Sequence, residues 1–110
     1  MSNTGFKKLI DTTLQNKTSE KLIEKKLRDA VRQMGGIALK FHSPYETGYP
    51  DRIIFMPGGK TFFAELKTTG KKPTPKQLLR QKELRALGFV SEIIDSELTL
   101  KDFLKRIENE

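Results

Sequence analysis

The sequence predicts an α/β domain whose central sheet is flanked by helices. Two patterns carry that prediction. Segments with helical and strand periods follow one another in the order (α)αβββαβα. The middle pair of strands is apolar on both sides, with Ile54, Met56, Phe62, Ala64 and Leu66 on one face and Ile53, Phe55 and Phe63 on the other. A sheet covered twice, by helices, has that pattern. The length of 110 residues suits one domain with one ordinary core.

Each element has a local reason. Phe6, Leu9, Ile10 and Leu14 lie at helical spacing, so a short helix is expected within an N-terminal extension, residues 1–18; residues 19–110 form the single domain. A stronger helix begins after Thr18-Ser19, either of which can cap it. Its apolar residues Ile23, Leu27, Ala30, Val31 and Met34 recur with the 3.6-residue period, and Gly35-Gly36 ends it. Ile37 to Phe41 is a first strand and Ser43 to Tyr49 a loop. Asp51–Met56 and Thr61–Lys67 are β-rich runs joined by Pro57-Gly58-Gly59, a hairpin signature. Pro75 suits the first turn of a helix whose apolar face is read as Leu78, Leu79, Leu84 and Leu87, closed by Gly88. Phe89 to Ile94 is a last strand, and Leu98 to Ile107 a final amphipathic helix.

Composition excludes several chemistries. There is no cysteine and only one histidine, His42, so disulfides, thiol nucleophiles, Cys-ligated zinc and paired-His mechanisms are out. No apolar run approaches the roughly 18–20 residues that span a bilayer, and no apolar signal-peptide core follows the N-terminus. The expectation is a soluble, cytoplasmic protein with no membrane partner. Its net charge is +7, and that charge is uneven. Residues 1–85 hold 18 of the 21 basic residues and 8 of the 14 acids; the remaining 25 residues are net acidic. A basic body of this kind points to a polyanionic partner, most commonly nucleic acid.

Against that background the few acids stand out. Asp51 opens a strand after Pro50, and Glu65 and Lys67 interrupt the next strand on one face, with Leu66 on the other. Unpaired charges are costly to desolvate, so either this edge is solvated or these residues build a site. Register separates the two. A two-residue loop at Gly58-Gly59 sets Glu65 opposite Arg52 and leaves Asp51 on the far face; a three-residue loop or a bulge brings Asp51 beside Glu65 and Lys67. Two carboxylates suit Mg²⁺, which takes one or two of them and keeps waters and phosphate oxygens for the rest. Such an ion polarises a phosphodiester and acidifies water, while a neighbouring lysine orients that water or stabilises developing charge. Glu20 and Glu24 both border the stripe of the preceding helix. Glu20 lies in the first turn, where an acid also complements the helix dipole; Glu24 lies deeper, at the edge of the packed face.

Glu24, Gly48-Tyr49-Pro50-Asp51-Arg52, Glu65-Leu66-Lys67 and Gln77, in this order and spacing, resemble the VRR-NUC branch of the PD-(D/E)xK nucleases over roughly residues 19–108. The resemblance implies a restriction-endonuclease-like αβββαβ core with a mixed central sheet flanked by helices. It implies Asp51, Glu65 and the Leu66 carbonyl as ligands of Mg²⁺, with Mn²⁺ as a substitute, and Lys67 as the residue that activates or positions water. Glu24 would bind metal directly or through water, and Gln77 would contact Lys67 or the substrate phosphate. It further implies a structure-specific endonuclease acting on branched DNA such as Holliday junctions, a role in DNA repair, a phage or bacterial source and a homodimer.

Lys40, Arg52, Lys71, Lys72, Lys76 and Arg80 surround the site in sequence or across the sheet and are the expected DNA contacts. Such contacts position a duplex without reading its bases. Tyr45 and Tyr49 have rings able to stack on unpaired bases or simply to pack. His42 is read as a loop residue. Two other readings stand beside the DNA endonuclease: a non-catalytic basic DNA-binding module on the same fold, and an RNA endonuclease.

Overall fold

The computed structural model describes residues 19–110; the N-terminal extension and its expected short helix lie outside the described residues. The elements are α1 (Glu20–Gln33), β1 (Ile37–Lys40), β2 (Arg52–Met56), β3 (Lys60–Leu66), α2 (Pro75–Ala86), β4 (Val90–Ile94) and α3 (Glu97–Asn109). The strands form one sheet in the order β1-β2-β3-β4. β1 to β3 are antiparallel neighbours and β4 runs parallel to β3, which makes the sheet mixed. α2 is the crossover that a parallel pair requires.

α1 starts where a side chain replaces a missing backbone partner: Ser19 Oγ accepts from Leu22 N at 3.2 Å. Its stripe of Ile23, Leu27 and Val31 is fully buried. With Leu100, Phe103 and Ile107 of α3 it packs on Ile54, Phe62, Ala64, Leu66 and Ile94, and this layer is the core. Gly36 lets the chain leave α1 tightly against the hairpin. A Cβ there would stand 2.5 Å from the Phe55 carbonyl oxygen and 2.6 Å from Met56 Sδ.

The hairpin loop has three residues. Met56 pairs with Lys60 and Arg52 with Ala64, leaving Pro57-Gly58-Gly59 as the turn. Gly58 and Gly59 both take φ values of the left-handed region, 87° and 76°, that glycine tolerates. One step beyond the ladder, the same register sets Asp51 across from Glu65.

Two expectations fail on the second face of the sheet. It is not fully covered: α2 packs against β4, while Ile37 (57% exposed), Leu39 (48%) and Phe55 (43%) remain open to solvent. A single helix is too narrow to roof four strands. Nor does α2 pack by more than one of the four expected leucines. Leu78, Leu79 and Leu87 are exposed, whereas Gln81 and Leu84 are buried. Gln81 Nε2 and Arg85 Nε both donate to the Ser91 carbonyl, at 2.8 and 2.9 Å, so polar side chains at helical spacing dock this helix.

Candidate active site

The site lies where the ends of β2 and β3 meet the start of α2. Asp51 Oδ1 accepts from Leu66 N at 3.1 Å, which fixes the carboxyl across the strand ends. The Leu66 side chain is buried in the core, so its backbone is the part that this end of the sheet offers. Glu65, 8% exposed, receives Gln77 Nε2 on Oε2 at 3.0 Å, and Lys67 Nζ lies 3.7 Å from the same oxygen. Gln77 is itself held. Its Oε1 accepts from Thr74 N at 2.9 Å while Thr74 Oγ1 accepts from Gln77 N at 3.1 Å, a reciprocal cap that starts α2. The helix cap and the carboxylate thus share one side chain.

Burial raises the pKa of both carboxyls. Glu65 is pushed up to about 7, first by desolvation and then by the charge of Asp51, with Lys67 opposing. Asp51 is also raised by burial, against the pull of the Leu66 N–H and of Arg52. Lys67 beside Glu65 and Arg52 beside Asp51 offset only part of that push. Among the described residues no group of three or more His, Asp or Glu side chains converges to cage a metal alone. Two carboxylates with a backbone carbonyl still match a hard divalent ion that keeps waters, so the residues present fit the implied cofactor. The pair opens into a hollow of about 180 Å³ lined by His42, Thr47, Tyr49 and Gln77 among others. A larger groove of about 470 Å³ between α1 and α3 lacks this chemistry, and its acid, Glu97, is taken by Lys26.

A solved VRR_NUC domain has this architecture: the TM-score is 0.73 over 78% of this chain and 94% of that one, at 24% identity. The sequence is also 49% identical over 78 residues to "Putative nuclease p44" of Acyrthosiphon pisum secondary endosymbiont phage 1, a match spanning 71% of this chain and 84% of the relative. The chain belongs to one family with this putative nuclease, and its fold is that of the VRR_NUC domain. No family model matches it.

The nuclease brings together Asp51, Glu65, Lys67 and Gln77, but several other residues stand elsewhere than expected. Gln77 contacts Glu65 rather than Lys67. Glu24 is held by Arg28 Nη1, at 2.7 and 2.8 Å to its two oxygens, one turn along its own helix. The charge of Glu20, exposed at the start of α1, adds a lesser upward push on both Asp51 and Glu65.

Two of the expected DNA contacts are occupied inside the nuclease. Arg52 is buried at 7% exposure, donates to the Asp51 carbonyl at 2.9 Å and stands 3.6 Å from Asp51 Oδ1. It is an internal counter-ion, because the strand turns it inward beneath the acid. Arg80 donates to the Thr47 carbonyl at 3.0 Å, pairs with Glu46 and Glu83, and stacks 4.6 Å over the Tyr49 ring. Lys40, Lys71, Lys72 and Lys76 do have exposed side chains. The role of Gln81 in docking α2 was not read from the sequence, although the i, i+4 spacing of Gln77 and Gln81 was a usable signal.

Proposed function

We propose that this nuclease is a Mg²⁺-dependent DNA endonuclease that cuts branched duplexes, Holliday junctions among them, with Mn²⁺ able to replace Mg²⁺. The observation that carries the reading is the register that places Asp51 across from Glu65, with Lys67 and Gln77 both on Glu65. Asp51, Glu65 and the Leu66 carbonyl would hold the ion, with a glutamate of α1, Glu24 or Glu20, reaching it directly or through water. A bound divalent ion supplies Lewis acidity to the scissile phosphate and acidifies water. Lys67 orients the attacking water and offers positive charge as the phosphorus gains negative charge. Gln77 keeps the Glu65 carboxylate aimed while the P–O ester bond breaks and the leaving oxygen takes a proton from solvent. Lys71, Lys72 and Lys76 hold the flanking phosphates, and Lys40 meets the duplex from the β1 edge.

The complete set of Asp51, Glu65 and Lys67 argues against a non-catalytic module. Because a four-way junction presents two symmetric strands, a two-fold homodimer follows from this substrate, and the open apolar face around Phe55 is a surface that a partner can cover. The test is cleavage of a panel of four-way junctions, flaps, linear duplex and RNA with Mg²⁺ or Mn²⁺. Branched DNA should be cut fastest, and Asp51→Ala or Lys67→Ala should lower the rate by at least about a hundredfold, the scale of a lost charge-stabilising group. Cutting that persists in EDTA or in Asp51→Ala refutes the mechanism, and preferential cutting of RNA refutes the substrate.

A further inference from the structure

The loop between β1 and β2 is anchored at its base, at its apex and along its descending limb. Phe41 N donates to the Asp51 carbonyl at 2.8 Å and closes its base. Glu46 N donates to Ser43 Oγ at 3.1 Å and shapes its apex. Arg80 of α2 grips its descending limb through the Thr47 carbonyl and Glu46, and lies over Tyr49, whose hydroxyl meets Glu83 at 3.4 Å. Gly48 seats that limb on α2. Its φ is +91°, and a Cβ there would stand 2.8 Å from Lys76 Cγ. Such anchoring is more than a connecting loop needs. It leaves Tyr45, at the apex, 94% exposed, the most solvated of the large apolar side chains among the described residues. The two residues flanking the Pro44-Tyr45 apex, Ser43 and Glu46, line the hollow that holds Asp51 and Glu65.

We propose that this clasped loop is a base-stacking subsite, in which Tyr45 receives an unpaired base at the branch beside the scissile phosphate. The anchored backbone meets the loop's share of the ordering cost, and every base offers the exposed ring a π face without sequence preference. Tyr49 is ruled out for this role because Arg80 already covers its ring. The loop is continuous with Asp51, so a base held on Tyr45 sets the phosphate register against the carboxylates. The subsite therefore selects unpaired nucleotides and not a sequence. It rests on the nucleic-acid reading above and adds how a branch is told from plain duplex.

The experiment uses a flap duplex with 2-aminopurine at the first unpaired position, a fully paired duplex as control, and EDTA to prevent cutting. Wild-type protein should quench 2-aminopurine. Tyr45→Ala should abolish the quench and cut the preference for flap over duplex by about tenfold, the scale of one lost stack, whereas Tyr45→Phe should keep both. Quenching and preference unchanged in Tyr45→Ala overturn the subsite. So does an equal loss of affinity on both DNAs. Single-stranded RNA carrying 2-aminopurine separates the two readings: a Tyr45-dependent quench there, with no binding of flap DNA, sinks the DNA substrate and upholds the subsite.

Discussion

Glu65 is the residue on which chemistry and stability meet. Its carboxyl sits at about 7 in the fold against an ordinary 4.5, because burial and Asp51 oppose its charge. Between those two values the folded chain holds a proton that the unfolded chain has released. This group therefore makes the metal-free protein less stable as pH rises from 4.5 to 7, and has no further effect above. One pKa unit is worth about 1.4 kcal/mol, so Glu65→Gln should stabilise the metal-free nuclease at pH 8 by about 3.5 kcal/mol and leave it unchanged at pH 4. Urea unfolding in EDTA at both values measures this, and an equal difference at the two pH values refutes it. A divalent ion requires the charged carboxylate, so its affinity should climb with pH up to about 7. Calorimetric titration of Mn²⁺ at pH 6 and pH 8 reads that trend.

At the scale of the element, α2 performs two tasks from its first turn. Thr74 and Gln77 cap it reciprocally, and Gln77 also reaches Glu65. Thr74→Ala should cost about 1 kcal/mol by thermal unfolding, the usual loss of a cap, with a modest loss of activity. Gln77→Ala should cost similar stability yet reduce cleavage much further, since it also frees the Glu65 carboxylate. Equal losses of activity in the two variants would show that Gln77 acts only through the cap. The same helix explains why its leucines mislead. Their spacing suggests an apolar stripe, but hydrogen bonds from Gln81 and Arg85 to the Ser91 carbonyl choose the docked face.

At the scale of the whole molecule, two exposed surfaces stand out among the described residues, the lysines near the site and the open face of the sheet. Of the expected DNA contacts, Lys71, Lys72 and Lys76 stand exposed on the connection after β3 and the first turn of α2, with Lys40 at the β1 edge. Each phosphate contact contributes about 0.9 to the slope of log affinity against log salt, so Lys71→Ala with Lys72→Ala should flatten that slope by about 2. Fluorescence anisotropy from 50 to 200 mM salt measures it, and an unchanged slope removes both lysines from the interface. The open face carries Ile37, Leu39 and Phe55 together. If two copies meet there, Phe55→Asp should shift sedimentation from dimer to monomer without unfolding the chain, because Phe55 is outside the core.

Much of this nuclease was legible in the sequence, because helices, strands and turns follow from neighbours a few residues apart. The order of elements, the Pro57-Gly58-Gly59 hairpin, and Asp51, Glu65 and Lys67 as the charged residues of a strand pair all lie in such local patterns. Tertiary structure alone decided what each long side chain meets. It turned Arg52 inward to Asp51 and bound Arg80 to the loop, removing both from the surface that their charge suggested. It also left the second face of the sheet half open, since hydrophobic pattern records which faces are apolar and not how wide a covering helix is. Periodicity is a property of the chain, whereas contact is a property of distances through space.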